Sequence, residues 1–249
     1  MKYHYKVWML LGIHIIIYSY TISTQFNILY VILSYGLALM FQWIGNECGL
    51  HRLWSHNSYK TTKFKETLLH IFATPLLYGT SLTYSCVHRT HHMHSDTDKD
   101  SHVLIPWWHV ALYIPNQLHQ LDQRLCMDLL RDPLHLFIHR HYFKINVLLL
   151  TISVAIFGIH ITGWTLSSIV VYNFIIGGMI NVLGHTKHIS SNRVYETKDN
   201  SLNSKLLQMV TMNQGLHNNH HYSPSSWTFA HNKHEVDIPG YIIKYLLKE

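Results

Sequence analysis

Two long stretches of this chain contain no Asp, Glu, Lys or Arg: Val7–Asn46 and Ile145–Thr186. A membrane-spanning helix needs roughly 20 consecutive apolar residues, so each stretch is long enough for two spans and a tight turn. Polar but uncharged segments at Ser19–Asn27 and Gly158–Thr165 are the predicted turns. The sequence therefore predicts an all-α integral membrane protein with four transmembrane helices in two hairpins. The predicted spans cover about residues 7–22, 27–46, 145–162 and 165–185.

The distribution of charge predicts the orientation. Two hairpins return the chain to its starting side, so the N-terminus, residues 47–144 and residues 186–249 share one compartment. All 19 Lys and Arg lie in these segments, and the positive-inside rule then places both termini in the cytosol. The first apolar stretch is long and no small-residue cleavage motif follows it, so no cleaved signal peptide is expected. We expect residues 1–249 to form a single domain, with the two cytosolic segments packed as one helical cap.

Composition supports a membrane protein and argues against nucleic-acid binding. Only 13% of residues are charged, where soluble domains carry about 25%. The net charge of +6 comes from scattered Lys and Arg, so acidic lipids of the inner leaflet are the expected partner. The three cysteines, Cys48, Cys86 and Cys126, show no CxxC spacing and are expected to be reduced thiols.

The segment Phe64–Tyr84 is apolar but contains Lys65, Glu66 and Pro75. A fifth span here would place the two termini on opposite sides of the membrane. We therefore interpret this segment as an interfacial or half-inserted helix.

Histidine is the most unusual feature of the composition, with 23 residues. Eight of them form three clusters: His51 and His56; His88, His91 and His92; and His217, His220 and His221. In the second and third clusters, the i, i+3, i+4 spacing places three imidazoles on one helical face. The i, i+5 spacing of the first cluster diverges on a regular helix, so its two histidines could serve different metals. Eight neutral nitrogen donors are too many for one ion.

Imidazole suits iron, zinc, copper and nickel, so the ligand type alone leaves the metal open. The clusters follow the predicted spans closely enough to converge at the cytosolic mouth of the bundle, above an apolar interior. A redox metal pair in that position fits oxygen-dependent attack on an alkyl chain. Isolated histidines are interpreted as surface or core residues: His4, His14, His70, His119, His135, His139, His141, His160, His231 and His234. His94, His109 and His188 are intermediate cases.

With these HxxxxH, HxxHH and HxxHH boxes, the sequence resembles the membrane fatty acyl desaturases, particularly the delta-9 group related to stearoyl-CoA desaturase. The resemblance extends to the sequences around the boxes and covers nearly the whole chain. It includes HRLWSH at 51–56, SDTDKDSH at 95–102, DLLRDP at 128–133, RHY at 140–142, HNNHH at 217–221 with PSS at 224–226, and EVD at 235–237 with Gly240.

The resemblance implies a ninth ligand at the end of the fourth span, His185, and an asparagine four residues earlier, Asn181, that holds a metal-bound water. The sequence itself places both residues one helical turn apart on one face. The resemblance also implies a di-iron centre that uses dioxygen and two external electrons to remove hydrogens from adjacent methylenes, with no catalytic residue beyond the metal ligands. Zinc can replace iron on purification.

Neutral ligands leave such a centre strongly cationic, so nearby carboxylates are expected to accept hydrogen bonds from the imidazole N–H groups. The candidates are Glu47, Asp96, Asp98, Asp100 and Asp237. Arg52 and Arg89 lie inside the boxes and are expected to orient the site.

The substrate carrier stays open between CoA, a membrane lipid and a carrier protein. Cys86 stands where an Arg is common in the animal acyl-CoA enzymes, and the stretch after Asp100 lacks the basic residues that follow the second box in them. Fewer cations weaken phosphate recognition. The chain contains neither a CxxxxCxxC run nor an HPGG segment, so a separate ferredoxin or cytochrome b5 is the expected electron donor.

An acyl tunnel is predicted between the second and fourth helices. Tyr35 and Leu39 lie roughly 24 and 18 Å before His51 along a helix axis, where bulky side chains would close the tunnel. The expected location is the endoplasmic reticulum for a eukaryotic chain and the plasma membrane for a bacterial one.

Two other functions stay open. A lipid hydroxylase, ketolase or alkane hydroxylase uses similar histidine boxes. A non-catalytic membrane metal-binding or transport protein is the alternative outside enzymes. Transport normally requires ionisable groups along a path through the spans, and apart from His185 at the end of the fourth span only His14 and His160 lie inside the predicted spans.

Overall fold

The computed structural model describes residues 2–101 and 122–249. These residues are mostly helical, with one two-stranded antiparallel sheet that pairs Ser191–Asn192 with Asn203–Ser204. Three described helices are long and apolar enough to cross a membrane: Tyr5–Thr24, Ile28–Ser55 and Pro133–Leu183.

The first apolar stretch forms a helical hairpin. Helix α1 (Lys2–Thr24) and helix α2 (Ile28–Phe41) are joined at residues 25–27, and the side chain of Asn27 caps α2 by accepting from Leu29 N at 2.9 Å. The turn is shorter than the predicted segment, because the hydroxyls of Ser23 and Thr24 donate to Tyr20 O and remain compatible with a helix.

Helix α2 continues without interruption into a wider helix, Gln42–Ser55, with i→i+5 hydrogen bonds. Helix α3 (Lys63–Ala73) packs closely against it. A methyl group at Gly45 would lie 2.5 Å from the backbone carbonyl of Phe72, so this contact requires a glycine.

Helix α3 buries Leu69 and His70 and exposes Phe64, Leu68 and Ile71. This exposed apolar face fits the predicted interfacial helix. The predicted segment Phe64–Tyr84 is not continuous, however. It breaks at Thr74–Leu76, where Pro75 lies, and Leu77 adopts a left-handed conformation with φ 58°.

Helix α4 (Ser81–His94) begins with a capping box, in which Thr80 and Thr83 each accept a hydrogen bond from the other's backbone N–H. A short 3₁₀ turn (Gln123–Cys126) and helix α5 (Met127–Leu130) pack beside it. Cys48, Cys86 and Cys126 are buried and free, as expected.

The second apolar stretch forms helix α6 (Pro133–Thr162), a wide turn (Gly163–Ser167) and helix α7 (Ser168–Leu183). Gly158 interrupts α6 with φ 78° and ψ 170°. Ser153 and Thr162 then meet through a 2.8 Å hydroxyl contact, although nine residues of continuous helix would separate them by roughly 13 Å. The chain therefore folds back at Gly158, the first residue of the predicted turn.

The remaining helices lie beyond the sheet and are short. They are α8 (Lys205–Thr211), α9 (His217–Tyr222) and α10 (Ile238–Ile242), the last extended by a wide turn at Ile243–Leu247.

Candidate metal centre

The first histidine box lies at the end of the wide helix Gln42–Ser55. His56 N donates to His51 O at 3.1 Å, an i→i+5 hydrogen bond. Because a helix with i→i+5 hydrogen bonds has more residues per turn than an α-helix, residues five apart lie closer to one face, and the two ring centroids are 5.1 Å apart. The suggestion that His51 and His56 could serve different metals assumed a regular helix, whereas this helix brings the two rings close together.

The second and third boxes lie on α4 and α9. In each box, the pair with i, i+4 spacing faces the same neighbours, and the remaining histidine turns aside. His185, just after α7, joins from a third direction, with its Nε2 2.9 Å from His217 Nε2.

All nine predicted ligands converge into two adjoining groups. The larger group contains His51, His56, His88, His92 and His220. The smaller contains His91, His185, His217 and His221. Within each group, the nearest ring nitrogens lie within 4.8 Å of one another. Neighbouring rings link the groups, such as His92 and His221, whose centroids are 4.4 Å apart.

The nitrogen geometry fits metal ions. Nε2 atoms of neighbouring rings approach to 3.1 Å for His51 and His220, 2.8 Å for His56 and His88, and 2.9 Å for His92 and His220. Two nitrogens bound at a right angle to a metal about 2.1 Å away lie roughly 3.0 Å apart. These separations therefore match neighbouring ligands of one ion.

Burial favours the neutral form of five of the clustered histidines. It lowers the pKa of His56, His88, His92, His220 and His221 well below the usual value, and charge on neighbouring groups lowers it further. A neutral imidazole has a free lone pair, which metal binding requires. His221 Nε2 is buried and has no hydrogen-bond partner among the described residues, so it is available as a ligand atom.

Carboxylates fix the outer nitrogen of several rings. Glu47 accepts from His51 Nδ1 at 3.2 Å, Asp100 from His91 Nδ1 at 2.9 Å, and Asp96 from His185 Nδ1 at 3.2 Å. Each contact leaves Nε2 free to face the group. The structure thus brings three of the five candidate carboxylates to ring nitrogens.

The other two candidates lie elsewhere. Asp98 is exposed on the turn between Asp96 and Asp100. Asp237 is buried against Arg52 and accepts two hydrogen bonds from its guanidinium, both at 2.8 Å. The guanidinium in turn lies 3.8 Å from the ring centroid of Phe229, which contacts the rings of His51 and His220. Asp237 therefore acts on the site through Arg52 and Phe229.

Arg89 also orients the first box. Its guanidinium donates to Trp54 O at 2.6 Å and Ser55 O at 2.8 Å, and it pairs with Asp128 at 2.8 Å. Both arginines of the boxes are thus engaged inside the protein, as expected.

Sequence reasoning missed two residues of this network. Asp199 accepts from His221 Nδ1 at 2.8 Å, and Gln214 donates to Glu47 at 2.6 Å. Asp199 lies 22 residues before its partner in a loop, so no helical spacing connects the two. The loop itself is held by Asn218, inside the third box, whose Oδ1 accepts from Val194 N and Tyr195 N.

A third group of potential ligands lies at α3. Glu66 accepts from His135 Nε2 at 3.1 Å, Trp54 Nε1 at 3.0 Å and Lys63 Nζ at 2.7 Å, and Lys63 also pairs with Asp132. The ammonium of Lys63 already supplies the cation between the two carboxylates. This cluster is therefore a structural ion-pair network.

The isolated histidines mostly match their interpretation. His14, His70 and His135 are buried and hydrogen-bonded, while His141, His231 and His234 are partly or fully exposed. His94 and His188 lie in neither histidine group. His102, His109 and His119, like the side chain of His4, lie outside the described residues.

A mainly apolar cavity of about 170 Å³ adjoins the histidines. His51, His88, His91, His217 and Asn181 line its polar end. Its apolar end is lined by Val7, Trp8, Leu11, Leu76, Leu77, Val170 and Phe174. Asn181 Nδ2 is buried and has no hydrogen-bond partner among the described residues, so it can hold a small polar ligand such as water.

The cavity differs from the predicted tunnel. Asn46, Glu47 and His51, from the continuation of the second helix, line it. Of the described lining residues none comes from Ile28–Phe41, and Val7, Trp8 and Leu11 of α1 lie at the apolar end together with Val170 and Phe174 of α7. Tyr35 instead donates to Val210 O at 2.7 Å, and Leu39 is buried. Tyr35 and Leu39 therefore do not close this cavity.

The sequence of this chain was compared with protein families and with individual proteins of known function. A family model for fatty acid desaturase matches residues 26–236. The chain is 28% identical over 219 residues to an sn-1 stearoyl-lipid 9-desaturase of Anabaena variabilis, covering 85% of this chain and 79% of that protein.

Two further relatives align with this chain over a smaller share of their own length. A probable acyl-CoA desaturase of Schizosaccharomyces pombe is 27% identical, with 82% of this chain and 44% of that protein aligned. A delta-9 desaturase-like 5 protein of Arabidopsis thaliana is 30% identical, with 78% of this chain and 66% of that protein aligned. The chain thus spans less than half of the yeast protein and about two thirds of the plant protein.

Proposed function

Because this chain belongs to the fatty acid desaturase family, whose members are oxidoreductases acting on fatty acyl chains, we propose that it introduces a cis double bond, at the delta-9 position, into a saturated acyl chain. The observation that carries this proposal is the convergence of nine imidazoles beside an apolar cavity, whose polar end is lined by four of them, His51, His88, His91 and His217. A polar oxidising centre above an apolar channel is the arrangement that attack on an alkyl chain requires.

The two histidine groups would each hold one iron ion. Five imidazoles would bind one ion, and four imidazoles would bind the other together with a water held by Asn181. When bound, a di-iron centre supplies the oxidising power, drawn from dioxygen and two electrons, that an unactivated methylene requires.

The protein's own residues hold and orient the centre. Glu47, Asp96, Asp100 and Asp199 each accept a hydrogen bond from a ligand ring. The negative charge of these carboxylates would offset the positive charge of the metal ions. Their hydrogen bonds fix each ring in one tautomer. No further acid or base is needed, because a methylene has no acidic proton.

The cavity positions the substrate and excludes water. Its polar end is formed by the ligand rings together with Asn181 and Gln214, and its walls by apolar side chains of α1, α7 and residues 76–77. An acyl chain lying in it would present successive methylenes to the centre in a fixed orientation, which oxidation at one carbon requires.

The acyl carrier and the electron donor are external partners. The relatives' names include both stearoyl-lipid and acyl-CoA desaturases, so the carrier is a membrane glycerolipid or CoA. Electrons would come from a separate ferredoxin or cytochrome b5.

The chain would cross the membrane four times and keep both termini in the cytosol. The fold-back at Gly158 supports this count, because it divides Pro133–Leu183 into two antiparallel helices. Residues 47–144 and 186–249 would then form one cytosolic cap, at the endoplasmic reticulum or a bacterial plasma membrane.

Expression in a host that lacks its own desaturase tests the function, with fatty acid profiling as the measurement. The wild-type chain should produce monounsaturated fatty acids, and His91→Ala should abolish them. His94→Ala is the matched control, since it changes a histidine of the same helix that lies in neither group. An alcohol product would indicate a hydroxylase instead, and no new product from the wild type would contradict the proposal.

A further inference from the structure

Helices α1 and α7, with the wide turn before α7, run antiparallel over almost their whole length. Four contacts define their register. They are Trp8 with Phe174 (ring centroids 5.9 Å apart), His14 Nδ1 with Ser167 Oγ (3.0 Å), Tyr18 with Trp164 (ring centroids 6.0 Å) and Thr21 with Gly163.

The side chain of Thr21 on α1 packs directly against the backbone of Gly163. A methyl group at Gly163 would lie 2.0 Å from Thr21 Oγ1 and 2.6 Å from its Cβ, so this close contact leaves no room for a side chain at residue 163. Nearer the histidines, the same two helices enclose the apolar end of the cavity. The helices therefore diverge from Gly163 towards the metal centre, and the cavity occupies the space between them.

The cavity ends at Leu11 and Val170. Both residues line it, whereas the next pair along the register, His14 and Ser167, lies one helical turn deeper and is not among its lining residues. His14 and Ser167 are 2% and 0% exposed. A buried imidazole inside a membrane helix is costly unless it is paired, so this hydrogen bond fixes α1 against α7 directly below Leu11 and Val170.

The depth of the cavity follows from the helix geometry. Val170 lies eleven residues before Asn181 on α7, which corresponds to roughly 16 Å along the axis. Only the part of the acyl chain between the metal centre and its methyl end would occupy this length of the cavity.

We propose that Leu11 and Val170 form the floor of the acyl site and set the length of chain accepted beyond the new double bond. This proposal rests on the proposed desaturase function. It gives His14, which no other part of the mechanism uses, a positioning role: with Ser167 it holds the floor in place.

Substitution of Val170 tests the floor through the chain-length profile of the products. Val170→Phe fills the end of the cavity and should shift the products towards shorter chains, whereas Val170→Ala should admit longer ones. Each methylene that no longer fits should cost about fourfold in preference, because burying one methylene is worth roughly 0.8 kcal/mol. Ile175→Phe is the matched control, since Ile175 lies on the exposed face of the same helix and its substitution should leave the profile unchanged.

A binding measurement keeps the test independent of turnover. Saturated fatty acids of increasing length are added to the purified full chain, and the rise in unfolding temperature is recorded. The longest acid that stabilises the protein should be shorter for Val170→Phe and longer for Val170→Ala than for the wild type.

The outcomes separate this proposal from the function on which it rests. Unsaturated products with the same chain-length profile in both Val170 variants, or an unchanged binding series, would overturn the floor and leave the desaturase function standing. If the wild type makes no unsaturated product, the function itself fails.

Discussion

At the scale of single residues, the candidate metal centre depends on which nitrogen of each imidazole faces inward. Hydrogen bonds from Nδ1 to carboxylates leave Nε2 of His51, His91, His185 and His221 directed into the two groups. A neutral imidazole has one donor and one acceptor nitrogen, so fixing the donor also fixes the ligand atom. The carboxylates therefore determine which nitrogen of each ring can bind a metal, just as the positions of the rings do.

Asp199→Asn should weaken metal retention without unfolding the chain. The amide keeps the size of the carboxylate but removes the negative charge that orients His221, and loss of such a partner typically costs ten- to a hundredfold in metal affinity. Metal content after dialysis against a graded series of chelator concentrations measures the effect.

Asp98→Asn is the control for that experiment, because Asp98 is exposed on a neighbouring turn. Equal metal loss from the two variants would mean that Asp199 does not position its ring.

The hydrogen bonds of Glu66 should make the stability of the fold sensitive to acid. Burial alone would raise the pKa of Glu66, but hydrogen bonds from His135, Lys63 and Trp54 outweigh it and lower the pKa to about 2. A carboxyl with a lowered folded-state pKa stabilises the protein above its unfolded-state pKa and loses this contribution as the pH falls towards the folded value. The unfolding temperature should therefore drop as the pH falls from about 5 to about 2.

Glu66→Gln should flatten this part of the pH dependence, while Glu196→Gln, whose carboxylate side chain is 95% exposed, should not. If Glu66→Gln and the wild type showed the same slope, the Glu66 network would not be a source of acid sensitivity.

At the scale of helices, the wide helix Gln42–Ser55 determines the relative orientation of His51 and His56 in the first box. The spacing of His51 and His56 is visible in the sequence, but sequence reasoning assumed 3.6 residues per turn and placed the rings on diverging faces. The i→i+5 hydrogen bonds place them on one face. Helix type here depends on packing against α3, where Gly45 meets Phe72, and such tertiary contacts are not visible in a local pattern.

The same limit explains the other differences between expectation and structure. The charge-free stretches, the hairpin positions and the eight histidines of the three boxes follow from local patterns of charge and spacing, and His185 follows from the family resemblance. The partner of His221 and the wall of the cavity depend on which elements meet in three dimensions. Asp199 comes from a distant loop, and α1 rather than Ile28–Phe41 lines the cavity beside α7.

Gly158 forms the turn of the second hairpin, and any other residue there should destabilise the fold. Its φ of 78° and ψ of 170° lie in a region that is essentially restricted to glycine. Gly158→Ala should lower the free energy of unfolding by about 1–3 kcal/mol, measured by thermal or denaturant unfolding in detergent.

Gly36→Ala provides the comparison within a membrane helix, since a methyl group there meets open space and no positive φ is involved. It should leave stability unchanged or raise it by up to about 1 kcal/mol. A Gly158→Ala variant as stable as Gly36→Ala would show that the fold-back does not depend on this residue.

At the scale of the whole molecule, two kinds of surface divide the chain. The apolar helices α1, α2 and α6 expose large hydrophobic side chains along their length, and α7 exposes Ile175. The charged segments between and after them carry eight of the nine clustered histidines, and His185 lies at the end of α7. The two histidine groups therefore lie at the boundary between the two surfaces, beside the apolar cavity.

The central claim is that nine imidazoles hold two metal ions at this boundary. Anomalous X-ray diffraction from crystals of the full chain, at the absorption edges of iron and zinc, tests it most directly. We predict two anomalous peaks, one for each metal ion. The first ion should be bound by Nε2 of His51, His56, His88, His92 and His220, and the second by Nε2 of His91, His185, His217 and His221. A single peak, or peaks away from these rings, would contradict the account.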